Sequence, residues 1–168
     1  MLQRTKMTRK ITYLSLLTAL AIIVGYLETL IPFSFAIPGT KIGLANIITI
    51  IVLYKYDFKE ALIVSFLRCL IVAITFTNLY MFLYSISGAL ISLCTMQLLK
   101  KLNVFSLLII SISGAICHNL GQLIIAIIFL GINIIYYLPY LIIIAVVSGS
   151  IIGLIANDLI NRINITGS

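Results

Sequence analysis

The sequence predicts an all-α membrane protein, a bundle of six transmembrane helices with both termini in the cytoplasm. Three observations predict it. Of the 168 residues, 62% are hydrophobic and 9% charged, against about 45–50% and about 25% in soluble domains. Apolar runs, most of them near the roughly 20 residues a helix needs to cross a bilayer, lie between the basic residues. The net charge of +7 is distributed to one side of those runs. The composition excludes a water-soluble globular enzyme, a disordered tail and a disulfide-stapled secreted module. Barrel strands alternate apolar and polar residues, whereas 107–116 and 141–147 are close to solidly apolar, so the runs are helices.

The expected helices are 11–31, 42–54, 60–77, 80–99, 104–130 and 138–160, in a single integral membrane domain covering 1–168. The first follows Arg4, Lys6, Arg9 and Lys10. It exceeds the about 7–15 apolar residues of a secretory signal, so it reads as a span although Ser34-Phe35-Ala36 resembles a cleavage site. The segment from Pro32 to Lys41, with two prolines and a glycine, reads as an ordered apolar loop packed over the bundle mouth. The second run is short and must be tilted, shielded from lipid or extended into its flanks. The third carries Arg68, the fourth ends at Lys100-Lys101, and the sixth precedes Arg162. With the N-terminus inside, the inner segments collect Arg4, Lys6, Arg9, Lys10, Lys55, Lys59, Lys100, Lys101 and Arg162, and the outer ones Lys41 alone. That bias sets orientation. It also explains the charge through anionic lipid headgroups rather than nucleic acid. Cys69, Cys94 and Cys117 stand singly within apolar helices and read as small core residues. The helix count invites a search for an inverted repeat, but the halves show no residue-level match.

Ionisable and amide side chains within spans are costly, about 2.5–3.5 kcal/mol for a central Arg on insertion scales, so those retained mark candidate sites. They are Glu28, Asn46, Arg68, His118, Asn119 and Gln122, with Lys41 at the rim, and all fit one cavity opening outward beneath the 32–41 loop. Arg68 has two readings, a structural partner of Glu28 or a group lining a site. His118 and Gln122 share a helix face and either hydrogen-bond neighbouring helices or face a ligand. Asn119 points about 100° away, towards a helix–helix contact. Lys41 either anchors at the headgroups or closes over the site. Asp57, Glu60 and Asp158 read as solvated faces near Lys55, Lys59 and Arg162. Small residues recur four apart at Ser15/Ala19, Ala21/Gly25 and Gly149/Gly153, a spacing that lets helices approach closely.

Glu28-Thr29-Leu30-Ile31-Pro32, followed by Ile37-Pro38-Gly39-Thr40-Lys41-Ile42-Gly43-Leu44-Ala45-Asn46-Ile47, resembles the signature of the Gx transporter family, also described as heptaprenyl diphosphate synthase component I. The likeness continues through Phe66-Leu67-Arg68, Ser85-Ile86-Ser87-Gly88-Ala89-Leu90-Ile91-Ser92 and Gly114-Ala115-Ile116-Cys117-His118-Asn119-Leu120-Gly121-Gln122-Leu123, over roughly 11–155. It departs at 71–76, where more glycine is expected. The resemblance implies a protein of the bacterial cytoplasmic membrane similar to the substrate-binding S components of energy-coupling-factor transporters. Such a subunit binds cargo from outside beneath its first loop, then docks on a transmembrane coupling subunit driven by ATPases. Ser15, Ala19, Ala21 and Gly25 would be this chain's docking stripe. The alternative is a non-catalytic membrane component associated with heptaprenyl diphosphate synthase, in isoprenoid or menaquinone side-chain synthesis. Prenyl elongation needs clustered aspartates to hold Mg²⁺ on diphosphate, and the four acidic residues form no such cluster. No Walker A pattern occurs, so ATP enters only through partner subunits, and no cofactor or metal is expected on the chain itself. Lys41 and Arg68 favour an anionic cargo: a flavin, another vitamin-like ring or a prenyl phosphate.

Overall fold

The computed structural model describes residues 2–30 and 43–165, with side chains over 7–30 and 43–162. Six α-helices follow one another: α1 (Leu2–Leu30), α2 (Asn46–Lys55), α3 (Phe58–Phe76), α4 (Leu79–Leu102), α5 (Leu107–Leu130) and α6 (Leu138–Ile165), the last preceded by a 3-10 turn at Ile132–Tyr137. Among the described residues every regular element is helical. Four stretches are long and apolar enough to cross a membrane: Met7–Leu30, Leu79–Leu102, Leu107–Leu130 and Ile132–Arg162. α3 has 19 residues but carries Lys59, Glu60 and Arg68. α2 has 10, about 15 Å at 1.5 Å per residue, which is half the roughly 30 Å hydrocarbon core.

The bounds differ from the expected ones for local reasons. α1 starts well before the apolar run because Gln, Arg, Lys and Met are good helix formers, a property that hydropathy does not register. α2 starts at Asn46 rather than 42. Gly43 has φ +81°, a left-handed conformation that an L side chain rarely adopts. The chain then turns into the helix through Asn46 N–H to Gly43 O (2.8 Å) and Ile47 N–H to Leu44 O (3.0 Å). α4 is capped by the Asn78 side chain, which accepts from Met81 N–H at 2.9 Å. It ends at Asn103 in the left-handed region, φ 53°, as helix C-termini often do. Pro139 lies in the first turn of α6, where its missing N–H removes no helical bond.

α2 occupies the centre, touching α1, α3, α4 and α6. Asn46, Ile48, Thr49, Ile50, Ile51, Val52 and Leu53 are all buried. Ile50, Val52 and Leu53 join Ala21 of α1, Ala61 and Val64 of α3, Leu93 of α4, Ile110 of α5 and Ala156 of α6 in one core cluster. The helix is thus covered by its neighbours along most of its length. The outer faces carry exposed Ile74, Ile128, Ile143 and Leu154, an apolar surface of the kind a bilayer covers.

The most extensive packing is α4 on α5 and α5 on α6, and small residues set both approaches. A Cβ on Gly121 would lie 2.8 Å from Gly88 Cα, and one on Gly149 would lie 2.8 Å from Ile112 Cα. Hydroxyls join the same seams: Ser87 Oγ donates to Gly121 O (2.8 Å) and Ser111 Oγ to Gly149 O (2.8 Å). At the basic end of the bundle, Lys100 Nζ donates to Leu53 O at 2.6 Å, closing the C-terminus of α2, and lies over the Tyr54 ring. Glu60 forms an ion pair with Lys10 at 2.5 Å, tying α1 to α3. Asp158 pairs with Arg162 at 2.8 Å along α6.

Candidate functional site

A small cavity sits at the end of the bundle opposite the basic one. It is enclosed by Gly25 and Glu28 of α1, Gly43 before α2, Arg68 of α3, Ser85 of α4 and His118 of α5, among others. Its free volume is about 20 Å³, room for a water molecule, which needs about 10–15 Å³ on this measure.

Arg68 is 6% exposed. Its Nη2 donates weakly to Cys69 Sγ at 3.7 Å, and its Nε has no hydrogen-bond partner. Glu28 is also buried, in the last turn of α1, where a negative charge faces the negative end of the helix dipole. Its carboxylate reaches across and accepts from Leu44 N–H, beside the positive end of α2. Arg68 and Glu28 thus share one cavity.

His118 is buried in the middle of α5 and its imidazole fits against Gly88, where a Cβ would come within 3.0 Å of Cε1. Gln122, one turn on, is 1% exposed with Nε2 unpartnered. It packs against the same glycine without lining the cavity. Asn119 donates from Nδ2 to Leu141 O at 2.9 Å, a contact between α5 and α6 as its orientation suggested. Asn46 is buried and lies beside Gly43 rather than on the cavity wall. Lys41 and the 32–41 loop lie outside the described residues. The structure therefore brings Glu28, Arg68 and His118 together, sets Gln122 behind them, and turns Asn119 away. Cys69, Val72, Ala73, Thr77, Met81 and Ser85 also line the wall, and sequence reasoning had assigned none of them to the site. The available signal was Ser85 lying three residues before the close-packed Gly88, on the same helix face.

The two small-residue pairs of α1 part company. Ala21 is 1% exposed and Gly25 is buried, with the Arg68 stem and Val72 at ordinary contact distance, so this pair packs inside the bundle. Ser15 and Ala19 face outward and line a groove of about 380 Å³ between α1 and α3, walled by Ile11, Leu14, Ile63 and Leu67. Thr18 in this groove donates its hydroxyl back to Leu14 O at 2.7 Å.

A buried guanidinium with an unpartnered nitrogen and an imidazole on one cavity wall are groups suited to holding an anion. Among the described residues, Glu28 is the one carboxylate of that wall. No curated protein matches the chain, and no solved structure does. The family model described as heptaprenyl diphosphate synthase component I matches residues 17–159, and with that span covered the chain belongs to the heptaprenyl diphosphate synthase component I family.

Proposed function

We propose that this chain is a non-catalytic integral membrane component acting beside a heptaprenyl diphosphate synthase in the bacterial cytoplasmic membrane. Family membership over residues 17–159 carries this reading. The positions of the acidic residues support it. Glu28 lies at one end of the bundle, Asp57 precedes α3 with Glu60 in its first turn paired to Lys10, and Asp158 pairs with Arg162, so in this reading Mg²⁺–diphosphate chemistry falls to a partner. In this reading the chain crosses the bilayer six times, the short α2 lying within the bundle and α3 turning Ile63 and Ile74 to lipid. Both termini lie in the cytoplasm, and the basic end meets the inner leaflet. The cavity around Arg68 holds the anionic group of an isoprenoid-related molecule. The test is affinity purification of the full chain in mild detergent after co-expression with the soluble synthase from the same cell. Retention of the synthase on the column supports the reading. Its loss, with the membrane protein still folded, overturns it.

A second reading is favoured by the enclosed cavity beneath the end of α1. The chain would be an S-component-like subunit that binds a small vitamin-, flavin- or isoprenoid-related anion and moves it with a coupling subunit and ATPases. Ser15 and Ala19, on the exposed groove, would then form the docking face. Retention of a coupling subunit in place of the synthase in the same purification would select this reading.

A further inference from the structure

The free volume beside Arg68 is about 20 Å³, about that of one water and less than a carboxylate or phosphate fills. The group already occupying the neighbouring volume is the carboxylate of Glu28. It lines the same cavity and accepts from the N–H of Leu44, in the turn that opens α2, a helix of 10 residues. A helix N-terminus presents N–H groups and positive potential to an anion. Arg68 lines the same cavity, 6% exposed, and its Nε has no hydrogen-bond partner. The arrangement is an oxyanion site with an oxyanion from the chain itself already seated in it.

We propose that Glu28 is a built-in competitor for the ligand: its carboxylate holds the oxyanion position at the N-terminal turn of α2, and an incoming carboxylate or phosphate binds by displacing it and taking its place beside Arg68. This rests on reading the cavity as a ligand site. It adds that the empty site is closed by an internal anion, so ligand entry and movement of the end of α1 are one event. Ligands with the same head chemistry, a carboxylated ring or a prenyl phosphate, would engage the site alike through that head.

The experiment uses the full chain in lipid nanodiscs with acetate, inorganic phosphate and inorganic diphosphate as probes. Glu28→Gln retains a carbonyl oxygen for Leu44 N–H but removes the charge. Charge-assisted hydrogen bonds are roughly twice as strong as neutral ones, so displacement becomes easier. The expected result is about tenfold tighter binding of at least one probe by Glu28→Gln. That binding is lost when Arg68→Met is added, and the probe showing the gain identifies the head group. In the wild-type chain, infrared difference spectra should show a carboxylate band shifting when the probe binds, and Glu28→Gln should lack that shift. Should the substituted chain fail to fold, the wild-type spectrum decides alone. Equal affinities with no carboxylate shift, while Arg68 is still required, would overturn the competitor and leave the site. Absence of binding by wild type and variant alike, with Arg68→Met silent, would overturn both.

Discussion

Gly121→Ala gives the sharpest test of how the α4–α5 seam is built. The added methyl carbon would lie 2.8 Å from both Gly88 Cα and Ser87 O, and 3.0 Å from Gly88 N. Carbon atoms rest at about 3.5–4.0 Å, so the helices must separate by roughly 0.7–1.2 Å, since the obstacles are backbone and cannot rotate aside. Overpacking of this kind costs about 1–3 kcal/mol. The separation also stretches the Ser87 Oγ–Gly121 O bond from 2.8 Å, losing about 0.6 kcal/mol on the average for interhelical bonds in membranes. The sum, about 1.6–3.6 kcal/mol, corresponds to a fall in Tm of roughly 3–14 °C for a chain of this size. Gly25→Ala is the matched control. Its methyl would meet Val72 and Arg68 at 3.5–3.7 Å, ordinary contact, and Ala is the better helix former by about 1 kcal/mol. It should therefore leave Tm unchanged or raise it. Thermal unfolding of both variants in the same detergent reads the difference. Equal Tm values for the two would refute the close-approach argument. Ser85 and His118 face the cavity from these same two helices, so Gly121→Ala should also weaken anion binding.

Ala19→Leu should fold normally, because Ala19 is exposed, and should abolish co-purification with whichever membrane partner the groove serves. Ala21→Leu, at a site 1% exposed, should instead destabilise by about 1–3 kcal/mol; matching unfolding curves would contradict this. In a cysteine-free background, Asn133→Cys in the turn before α6 should react with an impermeant maleimide in intact cells. Asn103→Cys between α4 and α5 should not, and the reverse pattern overturns the orientation. Arg68→Met should remove ligand-dependent stabilisation while leaving the chain folded. If it unfolds the chain and Glu28→Leu restores it, the two charges serve only to balance each other.

Helix number and type were legible because run length and charge placement are properties of single segments. The boundaries of α1 were not, since basic residues extend a helix that hydropathy alone terminates. The two small-residue pairs of α1 look alike in sequence, yet Ala19 and Ala21 are about 200° apart around the helix at 3.6 residues per turn. Only the position of α3 decides which pair is covered. Among the polar residues, that Glu28, Arg68 and His118 interrupt apolar runs is readable from the sequence, and the structure sets all three on one cavity. Partner choice is not readable that way. Leu44 N–H claims Glu28 through the turn at Gly43, a feature of chain direction rather than of residue type.

The enclosure of α2 also constrains biogenesis. Emerging from the ribosome, its 10 residues are too short to be held across the bilayer on their own, and the N–H groups at its start find no water in hydrocarbon. α3 and α4 cover part of its surface as they are made, but α6 is also in contact with it and follows them in the chain. A nascent chain halted before Leu138 would carry a half-solvated helix in the bilayer and present an incompletely assembled bundle to membrane proteases. Completion of the C-terminal helix is thus the step at which the second helix gains its permanent surroundings.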